Sequence, residues 1–124
     1  MEYYVKDNKI GVLVSHGFGA GWSTWGNDEL AYDKRIVEFW LSHKDDEEFM
    51  RTVNHSGFLK RESEAHKEAA QFFKSIGYND CPYMGGFADI VLEFVPRETA
   101  WRITEYDGSE SLEFYENAGF KMFM

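Results

Sequence analysis

Thr99-Ala100-Trp101-Arg102-Ile103-Thr104-Glu105-Tyr106-Asp107-Gly108-Ser109-Glu110-Ser111-Leu112-Glu113-Phe114 decides the fold. Two runs rich in aromatic and β-branched residues flank Asp107-Gly108, a dipeptide that tolerates the left-handed backbone of a tight two-residue turn. This predicts antiparallel strands over 99–106 and 109–114. Side chains alternate along a strand, so Arg102 and Tyr106 share one face and Glu105 takes the other.

Working outward, Phe87 to Val95 reads as a strand. Ala88, Ile90, Leu92 and Phe94 lie on one face against Asp89 and Glu93. Pro96-Arg97-Glu98 turns the chain into the hairpin. At the other end, Tyr3 to Val5 and Lys9 to Ser15 flank Asp7-Asn8, a second hairpin. Lys9–Ser15 is apolar on both faces and is expected in the middle of a sheet. Leu30, Val37 and Leu41, with Ile36 and Trp40 beside them, predict one amphipathic helix over 29–43, capped by Asn27 or Asp28. Within it Asp33, Lys34 and Arg35 pair locally, or Lys34 reaches back toward the loop before the helix. A short helix follows over 46–53, then a turn at Asn54-His55-Ser56-Gly57. Ser63 caps a third helix over 64–76 with Ala65, Ala69, Phe72 and Ile76 inward, stopped by Gly77. Residues 78–86 read as loop, and Gly119 to Met124 as one more strand. Strands at both ends with helices between argue an α+β fold: a mainly antiparallel sheet, N-terminal hairpin plus C-terminal meander, with about three helices packed on one face. There is no repeat, linker or low-complexity tract, so residues 1–124 form a single domain.

Composition narrows the function classes. Thirteen Lys and Arg against twenty-two Asp and Glu give a net charge of −9. Phosphate backbones are held by clustered cations, so no nucleic acid is expected as a partner. No apolar run is long enough to span a membrane. Four Trp, seven Tyr and eleven Phe exclude a disordered coil, and so much aromatic surface favours a homo-oligomer. The single Cys81 excludes a disulfide framework and suits a reducing compartment. Met1-Glu2-Tyr3-Tyr4 lacks the features of a signal peptide, so a cytoplasmic protein is expected. His43, His55 and His66 have no metal-ligand spacing, and no catalytic triad can be assigned, so no metal, cofactor or catalytic residue is predicted. Glu105, Asp107, Glu110, Glu113 and Glu116 form an acidic run without a base, a candidate acidic edge.

The segment His16-Gly17-Phe18-Gly19-Ala20-Gly21-Trp22-Ser23-Thr24-Trp25 is the candidate ligand-binding site. It leaves a strand and enters a helix, where backbone amides meet anions. Its glycines let the backbone come close to a ligand. Trp22 and Trp25 could stack on a ring, and Ser23 and Thr24 could donate to phosphate. It is neither a G-x-G-x-x-G nor a Walker loop, so no standard nucleotide fingerprint applies. Arg102, Glu105, Tyr106 and Asp107 are expected to complete the pocket, Arg102 as the cation facing an anion. Alternatively, Arg102 pairs across the hairpin with an acid of the next strand. His16 and Glu105 are the acid/base candidates if the site turns over a substrate.

Two strings carry a resemblance. One is Gly17-Phe18-Gly19-Ala20-Gly21-Trp22-Ser23-Thr24-Trp25 continued by Leu30 to Val37; the other is Phe94 to Glu110, with Arg102-Ile103-Thr104-Glu105-Tyr106-Asp107-Gly108-Ser109-Glu110 at its heart. Together they cover roughly a third of the chain, and they resemble small bacteriophage proteins to which no activity is assigned. The resemblance implies a phage protein of the host cytoplasm acting in counter-defence. The expected function is non-catalytic sequestration of a small nucleotide-like ligand in the Gly/Trp loop. The alternatives are an acidic nucleic-acid mimic that blocks a host defence protein, and a small enzyme acting on a nucleotide or sugar. Separately, Phe114-Tyr115-Glu116-Asn117-Ala118-Gly119-Phe120 is similar to a late segment of GNAT acetyltransferases. The acetyl-CoA loop of that family has no counterpart here, so only the choice of strand or helix over 110–118 is left open.

Overall fold

The computed structural model describes residues 2–17, 21–53, 64–79, 87–114 and 121–122. The chain has a mixed α+β fold with antiparallel strands, as the sequence predicts. Its order is β1 (Val5–Lys6), β2 (Lys9–Ser15), α1 (Glu29–Tyr32), α2 (Lys34–His43), α3 (Glu47–Thr52), α4 (Glu64–Ser75), β3 (Ile90–Pro96), β4 (Ala100–Tyr106), β5 (Ser109–Phe114) and β6 (Lys121–Met122). The strands divide into two three-stranded sheets, β1-β2-β3 and β5-β4-β6.

β2 is the hinge of the architecture. Its residues 10–15 are all buried, the signature of a strand covered on both faces. Ile10, Val12 and Val14 pack with Val95 and with Trp101, Ile103 and Leu112 of the second sheet. Leu13, on the other face, joins Ile90 and the helical residues Ile36, Val37, Trp40, Met50 and Phe73. The molecule is therefore helices, sheet, sheet. Both hairpin turns use left-handed backbone: Asp7 and Asn8 have φ of 53° and 62°, and Asp107 and Gly108 have 49° and 87°. That is the conformation the twist of a two-residue hairpin requires.

The helix expected over 29–43 is two helices, because Asp33 interrupts it. Asp33 is extended (φ −62°, ψ 122°) and its carboxylate accepts from the Arg35 amide as the N-cap of α2. The same carboxylate pairs with the Arg35 guanidinium at 2.7 Å, so the local pairing of this trio is Asp33 with Arg35. Lys34 instead lies 3.6 Å from the Glu2 carboxylate. Asp28 holds the N-cap position of α1 without a side-chain capping bond, and Asn27 before it accepts from the Glu29 amide. Asp46 is the N-cap of α3, accepting from the Phe49 amide. α4 turns His66, Ala69 and Phe73 inward, a face rotated from the expected one. Phe72 is half-buried and stacks on Phe39 with centroids 4.1 Å apart. Gly77, at φ 109°, ends α4, and Tyr78 N–H bonds back to the Phe73 carbonyl. Residues 87–89 form a 3₁₀ turn rather than the first part of β3. The chain is strand up to Phe114. The expected turn at 54–57, the Ser63 cap and the Cys81 loop lie outside the described residues.

Candidate functional site

The backbone donors at the end of β2 and in the loop after it are taken up by the chain's own Glu110. The Asp-Gly turn sets the register of β4 and β5 and places Glu110 opposite Glu105 on the inner face of the hairpin. Glu110 is fully buried. Its Oε1 accepts from Ser15 N–H at 2.9 Å. Its Oε2 accepts from Trp22 N–H at 2.8 Å, Thr24 N–H at 3.0 Å and the Thr24 hydroxyl at 2.5 Å. A buried carboxylate is tolerated only when donors replace its lost water, and here four do so.

This clasp corrects the roles expected of the loop. Trp22 is not a stacking surface: its side chain is 0% exposed, packs edge-on against Phe73 and Phe87, and donates its indole N–H to the Leu30 carbonyl at 2.8 Å. Thr24 donates to Glu110 rather than to a phosphate, and Ser23 is buried in a 3₁₀ turn over 23–25. Gly21 is required by space, because a Cβ there would lie 2.7 Å from Trp25 Cδ1 and 2.8 Å from Thr24 Oγ1. Gly17 lies against the Asp89 side chain. Phe18, Gly19 and Ala20 lie outside the described residues. Among the described residues of the loop Trp25 alone keeps an outward ring, 42% exposed, and its indole N–H reaches Glu105 Oε2 at 3.1 Å.

The hairpin residues are only partly brought to the loop. Glu105 joins it through Trp25 and also accepts from Gly108 N–H at 2.7 Å. The Gly108 amide and the Trp25 indole hold the Glu105 carboxyl below the usual carboxylate range, so it is a fixed acceptor rather than a proton donor. Arg102 is on the opposite face of β4 and does not enter a pocket with the loop. Its Nε donates to Glu113 Oε1 at 3.2 Å, the cross-strand alternative. Tyr106 shares that outer face and is 79% exposed. Asp107 is part of the turn. His16 is exposed, with Nε2 3.5 Å from Glu93 Oε2, and its carbonyl accepts from the Ser109 hydroxyl. The acidic edge is thinner than the sequence suggests, because Glu110 is not on the surface and Glu113 pairs with Arg102. Glu116 lies outside the described residues.

Sequence reasoning missed Glu110 as the organising residue. A signal was present: the Asp-Gly register puts Glu105 and Glu110 directly opposite, and like charges so placed repel unless donors approach them. Among the described residues no group of three His, Cys, Asp or Glu side chains could hold a metal ion, and no helix is long and apolar enough to cross a membrane. No family model matches the chain, and no curated protein or solved structure is significantly similar to it.

Proposed function

We propose that the chain is a non-catalytic binding protein that acts by occupying a protein partner. In the phage setting its resemblance implies, that partner is a host defence factor. The observation that carries this reading is the Glu110 clasp. It occupies the Ser15, Trp22 and Thr24 amides that would otherwise hold phosphate, and Trp22 is core, which weighs against sequestration of a nucleotide. It also ties the β4–β5 hairpin to the loop, so the exposed rings of Trp25, on the loop side, and Tyr106, on the outer face of β4, stand on either side of a pinned turn. Large aromatics on rigid backbone are the side chains that dominate protein interfaces. The enzyme alternative draws no support from Glu105, which is engaged by two donors and poorly suited to give a proton.

Native mass spectrometry of the purified chain with linear and cyclic nucleotides tests the choice. No added mass is expected; a retained nucleotide overturns the reading in favour of ligand sequestration. In parallel, the Trp25→Ala, Tyr106→Ala double variant should keep its far-ultraviolet circular dichroism and lose the partner that the parent chain co-purifies from host cells. Undiminished capture by the double variant refutes the exposed rings at this end of the hairpin as the site.

A further inference from the structure

We propose that the groove between the C-terminal half of α2 and the helix-facing side of the β1-β2-β3 sheet is a binding site for a small amphipathic carboxylate, an apolar chain ending in one anionic group. It uses neither Trp25 nor Tyr106 and does not rest on the reading above.

The register explains why a groove is left there. Side chains on one face alternate along each strand, so Lys6 of β1, Lys9, Gly11 and Leu13 of β2, and Leu92 and Phe94 of β3 share the helix-facing side. Gly11 N–H donates to the Tyr4 carbonyl at 2.8 Å, which places Tyr4 beside it. Gly11 has no side chain to reach α2. Tyr4 and Leu92 close over it instead, and a Cβ there would lie 3.0 Å from a carbon of each. Trp40 of α2 joins Leu13 in the core, but Tyr4, Leu41, Leu92 and Phe94 remain only partly buried. They wall a groove of about 310 Å³. Small-molecule sites run from about 300 to 1,000 Å³, so this one suits a single short chain rather than a phospholipid.

The rim indicates the charge of the ligand. Lys6 and Lys44 line the groove, and no acid does. Lys9 stands directly opposite Lys6 on the same face, and like charges so placed repel. In a chain with twenty-two acids, Lys6, Lys9 and Lys44 make no ion pair among the described residues. A carboxylate bound beside Lys6 and Lys44 would offset that repulsion, while its chain covered Leu92 and Phe94. An adjoining groove of about 590 Å³ shares Trp40 and Lys44, but there Asp45 and Glu47 offset Lys44 and Arg51. The anionic group therefore belongs in the first groove. A nucleotide fits it poorly, because its sugar hydroxyls would rest on an apolar floor without partners.

The probe is octanoate, titrated into the chain and followed by methyl NMR beside octanol and octylammonium. Octanoate should shift the Leu41 and Leu92 methyls saturably and leave those of Ile103 and Leu112, in the second sheet, in place. An exposed ion pair is worth up to about fivefold in affinity. Octanol with the parent, and octanoate with the Lys6→Gln, Lys44→Gln double variant, should therefore each bind about fivefold more weakly, and octylammonium more weakly still. Added salt should weaken octanoate and not octanol, a readout that needs no variant. The double variant should hold octanol as the parent does, since both lysines are exposed and losing Lys6 also removes its repulsion with Lys9. Any of five outcomes overturns the proposal. Octanoate gives no saturable shift at Leu41 and Leu92; octanol or octylammonium binds the parent as tightly; salt leaves octanoate binding unchanged; the double variant keeps full affinity for octanoate; or the same methyls shift with protein concentration alone together with a dimer mass, which makes the occupant a second copy.

Discussion

Replacing Glu110 by Gln tests whether the carboxylate, rather than mere shape, closes the loop. Gln keeps one carbonyl oxygen. Placed where Oε2 sits, that oxygen retains the two amides and the hydroxyl, but the new NH₂ group meets the Ser15 N–H. A buried donor left without an acceptor costs about 1–3 kcal/mol. The three retained bonds lose their charge assistance, roughly 1 kcal/mol each. Opposing this, Gln needs no buried charge stripped of water, a relief of several kcal/mol. The balance is a destabilisation of about 2 kcal/mol, read as a fall of roughly 1.3 M in the urea midpoint for a slope of about 1.5 kcal/mol/M. Glu110→Ala leaves all four donors without their acceptor. It should cost at least about 4 kcal/mol, a large part of the 5–15 kcal/mol typical of such a domain. Glu113→Gln, which loosens only the exposed pair with Arg102, is the control and should stay within about 0.5 kcal/mol of the parent. The reasoning is refuted if Glu110→Gln is as stable as Glu113→Gln, or if the Trp22 and Thr24 amides exchange no faster in it.

Trp22→Ala should destabilise by about 3–5 kcal/mol, since the ring is core; calorimetry or urea unfolding decides it. Tyr106→Ala should change the urea midpoint by no more than about 0.5 kcal/mol equivalent, because the ring is solvent-exposed. Gly21→Ala should cost about 1–3 kcal/mol through its clash with Trp25 and Thr24, while Gly77→Ala, where a Cβ meets nothing, should cost only about 1 kcal/mol from its left-handed backbone. Burial alone would raise the Asp33 carboxyl, but the Arg35 guanidinium and amide outweigh it and hold it below its ordinary value. A depressed carboxylate stabilises fully above the unfolded value, near pH 4, and that contribution is lost as pH falls through the folded value. Urea midpoints from pH 7 to pH 3 should therefore fall more steeply for the parent than for Asp33→Asn.

The hairpins were legible because their turns are chemically explicit: Asp7-Asn8 and Asp107-Gly108 each tolerate the backbone their turns need. β2 was legible as a central strand because both its faces are apolar. The break at Asp33 was not, since Leu30, Ile36, Val37 and Trp40 keep a helical period across it. Only a cap seated on the Arg35 amide reveals it. That the loop offers backbone amides was legible in its glycines and its place after a strand, but the internal side chain that takes them was not. Residue 110 is 88 positions from Trp22, and local pattern carries no sign of so distant a partner. The two tryptophans looked alike in sequence. They parted because Trp22 finds a carbonyl inside the core and Trp25 finds a carboxylate at its rim.

The Glu110 clasp also sets an order of events for the nascent chain. Ser15 and Glu110 are 95 residues apart, and β2 pairs with a strand that begins at Ile90. While the ribosome is still adding the helices, β2 can pair only with the short β1. Its other edge, and the amides of the loop that follows, must wait for β3 and then β5. Contacts this distant in sequence slow folding, because the loop between them must close before they form. Collapse of this chain should therefore be late and cooperative, and release of a chain shortened before residue 110 should yield an open, aggregation-prone β2 rather than a smaller folded unit.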